Sequence, residues 1–302
     1  MIVRGGYNMQ LQGIYAPIPT PFDAGGQVDL PALLGNLAFW NESPLQGLVV
    51  GGSNGEFALL SEAERLETLR LVRENLAEDK HLIAGTGCEA TAATIRLSKA
   101  AAGEGAESVL VVNPYYYKGS YSEDALEEYF LQVADNCPVP VILYNMPRNT
   151  GLNLSVSLVS RLSRHANIAG IKDSGGNIVQ IAEIIAASDP GFAVFAGSAS
   201  FLLPTLLLGG RGGTMALANV LPEQCCRVMD LASNNEWQAA ATLQLGLLDI
   251  NAAVTRRWGV AGLKAAMDMM GLRGGKPRSP IRPLSRDCRN ELKQLLEAAR
   301  VL

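Results

Sequence analysis

Short runs of apolar residues alternate with longer amphipathic stretches along most of this chain. The runs are continuous and rich in Val and Ile, which is typical of parallel strands buried on both faces. Most neighbouring runs are separated by about 25 to 35 residues, which leaves room for one helix between consecutive strands. The pattern predicts strands at 13–17, 47–50, 82–84, 108–112, 139–143, 168–171, 193–195 and 214–217.

Signals for helix starts lie between the predicted strands. Ser61 and Glu64 match a capping box before a helix over 63–75. Asp29 followed by Pro31 marks an earlier helix start. Further helices are predicted at 92–102, 123–135, 156–164, 178–187 and 201–208.

Alternation of strand and helix, repeated eight times with right-handed crossovers, closes naturally into a (β/α)8 barrel, or TIM barrel. An open doubly wound sheet is the alternative, although such a sheet usually has about five or six strands. After residue 220 the pattern is helical, with helices predicted at 222–232, 236–253, 260–270 and 287–301. We therefore expect a barrel over residues 1–220 and a C-terminal helical appendage, residues 221–302, packed on it.

Composition excludes several classes of partner. The chain has 302 residues, of which 48% are hydrophobic, and a net charge of −4. A mildly acidic protein without a basic block is a poor candidate for binding nucleic acid or an anionic membrane. The apolar runs are shorter than the roughly 18 to 20 residues that span a bilayer. Residues 1–10 lack the apolar core of a secretory leader, so we expect a cytoplasmic protein.

Cysteine and histidine usage narrows the chemistry. The five Cys are an odd number without metal-ligand spacing, and the two His lie far apart in sequence. Neither a disulfide framework nor a His-rich metal site is expected. His81 opens an apolar run and is expected to be a packed or capped side chain. We therefore expect no metal.

Lys172 carries the sharpest chemical signal in the sequence. It directly follows the run 168–171, where functional side chains of a (β/α)8 barrel occur. A lysine in a low-dielectric site loses its charge more easily, and the neutral amine can form a Schiff base with a ketone. The protonated imine acts as an electron sink, so this chemistry needs no cofactor. Position alone also fits a lysine whose amine reaches water.

Three further segments at strand ends carry candidate residues. Tyr144 could shuttle protons, or cap the core with its hydroxyl in solvent. Tyr116 lies within three consecutive tyrosines and fits either a site or an oligomer contact. The turn holding Ser53 and Asn54 has small residues and exposed N–H groups that could bind a carboxylate, or is simply a tight turn.

Four motifs occur together and in order. On these motifs the chain resembles the dihydrodipicolinate synthase and N-acetylneuraminate lyase family of class I, Schiff-base aldolases. The resemblance extends over nearly the whole chain. The motifs are Pro-Ile-Pro-Thr-Pro-Phe at 17–22, Gly-Ser-Asn-Gly-Glu at 52–56, Tyr-Asn-Met-Pro at 144–147 and Gly-Ile-Lys at 170–172.

The resemblance implies roles for these residues. Lys172 would form the imine with pyruvate or another small-molecule 2-oxo acid, and Tyr144 would be the general acid–base. Ser53 and Asn54 would hold the carboxylate of the 2-oxo acid or relay protons. Tyr116 would reach into the site of a neighbouring subunit, in a homodimer or in a homotetramer built as a dimer of dimers.

The turn after the fifth predicted strand bears on the second substrate. The synthase branch of the family reads Tyr-Asn-x-Pro-x-Arg-Thr-Gly, whereas Asn149 occupies the Arg position here and Arg148 precedes it. A shift of one residue redirects a side chain, which argues against binding of aspartate semialdehyde. Segments 52–57, 84–89, 172–176, 216–220 and 251–257 resemble the branch of 4-hydroxy-2-oxoglutarate aldolases.

By that second resemblance, Ser53, Asn149, Ser174 and Gly197 line the substrate pocket. The expected reaction is cleavage of 4-hydroxy-2-oxoglutarate to pyruvate and glyoxylate. One alternative is 4-hydroxy-tetrahydrodipicolinate synthase, which joins pyruvate to aspartate semialdehyde. Others are an aldolase for a sugar-derived 2-oxo acid and a non-catalytic barrel that binds a 2-oxo acid.

Overall fold

The computed structural model describes residues 11–299. Within them, eight parallel strands pair in chain order, and the last strand pairs with the first. The predicted (β/α)8 barrel is therefore confirmed. The strands are β1 (Gly13–Pro17), β2 (Gly47–Val50), β3 (His81–Gly85), β4 (Ser108–Val112), β5 (Val141–Asn145), β6 (Ile168–Asp173), β7 (Ala193–Ala196) and β8 (Gly212–Thr214).

Helices alternate with these strands and continue after β8. Those between strands are α1 (Leu30–Glu42), α2 (Glu62–Asn75), α3 (Thr91–Gly103), α4 (Glu123–Asn136), the short α5 (Pro147–Thr150), α6 (Val156–Leu162), α7 (Ile178–Ala187) and α8 (Leu202–Leu207). Those after β8 are α9 (Pro222–Ser233), α10 (Trp237–Gly246), α11 (Leu248–Ala252), α12 (Gly259–Met269) and α13 (Arg286–Ala298). The final predicted helix extended to residue 301, and residues 300–302 lie outside the described part of the chain.

Both predicted helix starts are confirmed by their capping contacts. The Asp29 carboxylate accepts a hydrogen bond from Ala32 N at 2.9 Å. Ser61 N donates to the Glu64 carboxylate at 2.8 Å, and Glu64 N donates to Ser61 Oγ at 3.3 Å. These contacts satisfy N–H groups that the first turn of a helix leaves without a partner.

The eighth strand was predicted at the wrong residues. It comprises Gly212–Thr214, whereas the apolar residues that follow form a 3-10 turn over Ala216–Asn219. Glycine has a low strand propensity, so the hydrophobic pattern missed this strand. The strand nevertheless requires glycine, because a Cβ on Gly212 (φ +151°) would lie 1.9 Å from the carbonyl oxygen of Gly13.

The predicted helix 236–253 is interrupted. Helix α10 ends at Gly246, α11 follows, and one π-helical turn spans Ala253–Arg257. This turn leads into α12. The sequence pattern missed the interruption because the same apolar spacing runs through all three segments.

Apolar side chains fill the barrel and the layer between strands and helices. Tyr15, Val49, Ile83, Leu110 and Phe195 belong to a buried cluster of strand residues. Residues of α9, α12 and α13 share a second cluster with β1, β2 and α1. The C-terminal helices therefore cover the barrel, while the division at residue 220 remains a prediction. No helix in residues 11–299 is both long and apolar enough to cross a membrane.

His81 is a packed side chain, as predicted. It is 2% exposed. Its Nδ1 lies 3.2 Å from Tyr15 Oη and its Nε2 lies 3.1 Å from Ser108 Oγ. Burial lowers the pKa of the imidazole, while the carboxylate of Glu107 opposes that shift.

Candidate active site

A cavity of about 780 Å³ opens at the carboxyl ends of the strands. This is the end at which (β/α)8 enzymes carry their sites. The sequence-predicted residues that line it are Ser53, Asn54, Tyr144, Asn149, Lys172, Ser174 and Gly197. The structure therefore brings together all but one of the predicted site residues.

Lys172, Tyr144 and Ser53 form the centre of this cavity. The register of β5 and β6 pairs Tyr144 with Lys172, and both side chains are 4% exposed. Lys172 Nζ lies 4.4 Å from the centre of the Tyr144 ring. Tyr144 Oη lies 3.2 Å from Ser53 Oγ. The amine thus faces the ring of Tyr144, whose hydroxyl can exchange a proton with the hydroxyl of Ser53.

The next pair in the same register, Asn145 and Asp173, fixes the strand ends. Asn145 Nδ2 donates to Asp173 Oδ2 at 2.7 Å, and Gly175 N donates to Asp173 Oδ1 at 2.9 Å. Burial raises the pKa of the Asp173 carboxyl, and these hydrogen bonds oppose the shift. Each residue directly follows a predicted catalytic residue, but sequence reasoning did not predict that the two would be bonded to each other.

Gly197 allows β7 to turn close against the strand that carries Lys172. Its N–H donates to the carbonyl oxygen of Asp173 at 2.7 Å. A Cβ at this position would lie 1.9 Å from Ser174 Oγ and 2.6 Å from that carbonyl oxygen. The position therefore accepts glycine alone without displacement of Ser174.

Tyr116 lies apart from the other predicted site residues. Its side chain is 74% exposed and packs edge-on against Tyr117, with ring centres 5.0 Å apart. Its N–H donates to the Glu89 carboxylate at 3.0 Å. It does not line the cavity within the described chain. Its predicted role in a neighbouring subunit stays a prediction.

A buried ion pair stabilises the end of the turn that contains Ser53. The Glu56 carboxylate lies 2.5 Å from Lys264 Nζ, and both side chains are almost fully buried. Arg278 N donates to the second Glu56 oxygen at 2.8 Å. Burial lowers the pKa of Lys264, and the Glu56 carboxylate opposes that shift.

Sequence reasoning missed the part of the cavity that the C-terminal segment supplies. Val254, Thr255, Arg256 and Ile281 line it, together with Arg148 from α5. The four residues of the C-terminal segment are distant in sequence from the strands, so no local pattern reports their proximity. The signal available was the segment 251–257, which shared the second resemblance without an assigned role.

Metal ligation has no geometric support in the described residues. Within residues 11–299, no group of three His, Cys, Asp or Glu side chains is arranged to hold a metal ion.

The fold and the site together define a class of protein, namely a (β/α)8 barrel enzyme with a buried lysine in the cavity at the carboxyl ends of its strands. Comparison with known proteins identifies the family. The sequence profile of the "Dihydrodipicolinate synthetase family" matches residues 10–299. The chain therefore belongs to the dihydrodipicolinate synthetase family. It is a carbon–carbon lyase of the class I, pyruvate-dependent aldolase type.

Individual relatives agree with this family assignment. A 4-hydroxy-tetrahydrodipicolinate synthase from Caldicellulosiruptor saccharolyticus is 35% identical over 277 residues, covering 92% of this chain and 93% of that protein. A synthase of the same name from Methanosphaerula palustris is 35% identical over 288 residues, covering 94% and 98%.

Solved structures share the fold over nearly the whole chain. The E. coli K12 prophage protein YagE, of the dihydrodipicolinic acid synthase family and solved in complex with pyruvate, is 31% identical with a TM-score of 0.91. The superposition covers 97% of this chain and 100% of the YagE chain. A dihydrodipicolinate synthase from Bacillus anthracis has a TM-score of 0.92 at 29% identity, covering 96% and 99%.

Proposed function

We propose that this enzyme cleaves 4-hydroxy-2-oxoglutarate to pyruvate and glyoxylate through an imine on Lys172. The observation that carries the proposal is the buried amine of Lys172 over the ring of Tyr144, whose hydroxyl is paired with that of Ser53. An amine supplies the nucleophile and electron sink, and paired hydroxyls supply a route for the proton.

The steps follow from this arrangement. The neutral Lys172 amine attacks C2 of the substrate, and loss of water gives a protonated imine. Tyr144, through Ser53, removes the proton of the C4 hydroxyl, and the electrons of the C3–C4 bond flow into the imine. Glyoxylate leaves, C3 of the resulting enamine is protonated, and water hydrolyses the imine to release pyruvate. Asn54 and the N–H groups of its turn would hold the C1 carboxylate.

The choice of substrate rests on the cavity wall. Asn149 lines it where the synthase branch carries Arg. No Asp or Glu among the described residues lines it. Aspartate semialdehyde carries an ammonium group that would find no carboxylate partner there. By contrast, 4-hydroxy-2-oxoglutarate carries two carboxylates and no ammonium. Ser174 and Gly197 would shape the pocket for this substrate.

The second candidate is 4-hydroxy-tetrahydrodipicolinate synthase. The names of the relatives at 35% identity favour it over the aldolase. The same imine on Lys172, formed with pyruvate, would then attack aspartate semialdehyde as an enamine.

A direct comparison of the two reactions tests the choice. The enzyme, with chelator present, is given 4-hydroxy-2-oxoglutarate in one assay and pyruvate with aspartate semialdehyde in the other. We expect rapid pyruvate release in the first and slow condensation in the second. The reverse order of rates would favour the synthase. Lys172→Ala should abolish both reactions and the adduct that borohydride traps with pyruvate, and retained turnover would exclude the imine mechanism.

We further propose that the enzyme is a homodimer or a homotetramer of paired dimers and acts in the cytoplasm. Support for the assembly is the exposed pair of Tyr116 and Tyr117, since aromatic residues are enriched at interfaces. Support for the location is the cysteine usage, because disulfide frameworks are typical of oxidising compartments.

A further inference from the structure

The mouth of the cavity carries positive charge that the steps above do not use. Arg148 and Arg256 line the mouth, and Lys172 lies deeper. Among the described residues that line the cavity, none is acidic. The wall therefore favours a ligand with more negative charge than the single carboxylate of pyruvate.

Arg148 and Arg256 have guanidinium N–H donors that are available to a ligand. Neither forms an ion pair within residues 11–299, whereas the adjacent Arg257 lies 2.5 Å from the Glu291 carboxylate. Arg148 Nη2 donates to the carbonyl oxygen of Arg256 at 3.1 Å. A guanidinium carries five N–H donors, so this contact positions Arg148 and leaves most of its donors available.

The backbone around Arg256 is held in an uncommon conformation. Arg256 lies in the π-helical turn Ala253–Arg257, and such turns are frequent at functional sites. Asn251 Nδ2 donates to Ser198 Oγ at 2.9 Å and to Ser200 Oγ at 2.7 Å. Ser198 and Ser200 also line the cavity, so these bonds connect α11, which leads into the turn, to the segment that follows β7.

We infer that Arg148 and Arg256 form a second anion subsite, which binds the distal carboxylate of a five-carbon 2-oxo dicarboxylic acid. The inference rests on the proposed function, in which Lys172 holds C2 of the same molecule. Arginine binds a carboxylate through two parallel hydrogen bonds and keeps its charge at all working pH values. The subsite thereby selects for a second carboxylate without contact with the reacting bond.

Three stable probes separate charge from length. Pyruvate has neither a distal carboxylate nor the length, 2-oxopentanoate has the length alone, and 2-oxoglutarate has both. None carries the C4 hydroxyl, so none is cleaved by the proposed route. Half-saturation for the borohydride-trapped adduct is measured by intact mass, and binding without reduction is measured by calorimetry. The variants are Arg148→Gln and Arg256→Gln, with Arg257→Gln as the matched control.

The wild-type enzyme should bind 2-oxoglutarate more tightly than 2-oxopentanoate. Arg148→Gln and Arg256→Gln should each weaken 2-oxoglutarate binding about tenfold, as expected for loss of a charge-assisted hydrogen bond. Half-saturation with pyruvate should stay the same, and Arg257→Gln should behave as wild type. Added salt should weaken 2-oxoglutarate binding more than 2-oxopentanoate binding.

Two results would overturn the inference. One is equal binding of 2-oxoglutarate and 2-oxopentanoate to the wild type. The other is equal weakening of all three probes in the arginine variants, which would indicate a structural role. Failure of the proposed function looks different, because 4-hydroxy-2-oxoglutarate would then release no pyruvate, whether or not the probes give a trapped adduct. Calorimetry would still report whether the distal carboxylate is recognised.

Discussion

Tyr144 is held between the amine of Lys172 and the hydroxyl of Ser53, and this position suits proton transfer better than substrate binding. Its hydroxyl meets Ser53 Oγ, whereas its ring faces Lys172 Nζ. Removal of the hydroxyl leaves the ring, and with it the packing against the lysine, in place.

We predict that Tyr144→Phe lowers kcat by about 10²- to 10⁴-fold, the range expected for loss of a general acid–base. The imine should still form, so borohydride with pyruvate should add the same mass as in the wild type. Ser53→Ala should also lower kcat, because it interrupts the route to Tyr144. An unchanged kcat in Tyr144→Phe would contradict the assigned role.

His81 makes stability depend on pH. Burial lowers its pKa in the folded state below the ordinary value of about 6.5. At higher pH the ring is neutral in both states, and its contribution to stability is fully present. As pH falls below about 6.5, the unfolded chain takes up a proton before the folded one does, so stability is lost.

We therefore expect the thermal midpoint of the wild type to fall between pH 7 and pH 5 by more than that of His81→Gln. His165→Gln, which removes the other histidine, is the matched control and should keep most of the wild-type fall. Equal falls in the wild type and in His81→Gln would show that His81 does not control this pH range.

Most strands of the barrel could be predicted from the sequence, because strands buried on both faces are continuous apolar runs. Strands such as β4 are continuous apolar runs because helices cover one face and the barrel core covers the other. Strand β8 was not predictable, because Gly212 and Gly213 carry no hydrophobic signal, and close backbone contact requires glycine at position 212. Capping residues such as Ser61 could be predicted from the sequence, because the contacts that cap a helix are made between residues close in sequence.

Two elements distant in sequence cooperate in the buried pair of Glu56 and Lys264. Glu56 ends the turn after β2, and Lys264 lies in α12. Glu56 has φ +56°, an uncommon conformation for a residue with a side chain. The ion pair therefore holds both the conformation of the turn and the direction of Ser53.

We predict that Lys264→Met destabilises the protein by about 3–5 kcal/mol, because the Glu56 carboxylate stays buried without its partner. The double variant Glu56→Gln with Lys264→Met should recover part of that loss. Denaturant unfolding measures the difference. Arg70→Ala, which removes a surface pair with Glu104, is the control and should change stability little. A loss of stability in Arg70→Ala as large as that in Lys264→Met would contradict the importance of the buried pair.

At the scale of the whole molecule, the cavity combines parts that no single stretch of sequence encodes. Lys172, Tyr144 and Ser53 come from strand ends or the turns beyond them, and chemistry at strand ends can be predicted from a barrel pattern. Arg256 and Ile281 arrive through the packing of the C-terminal segment. Their positions depend on long-range contacts, so sequence periodicity carried no information about them.

The predicted assembly of subunits can be tested through Tyr116. Its ring is exposed and outside the cavity of its own chain. If Tyr116 serves the site of a neighbouring subunit, the site of each chain contains Lys172 from that chain and Tyr116 from its partner. Two inactive variants can then complement each other.

We predict that Lys172→Ala and Tyr116→Phe, each impaired alone, regain activity when unfolded together and refolded as a mixture. In a mixed dimer, the chain that keeps Lys172 receives an intact Tyr116 from the other chain. Random pairing would restore about one quarter of the sites. Native mass spectrometry confirms that mixed dimers have formed, because the two variants differ in mass. If Tyr116 acts within its own chain, the mixture instead shows only the averaged activities of the two variants, because every site with Lys172 then lacks the tyrosine hydroxyl.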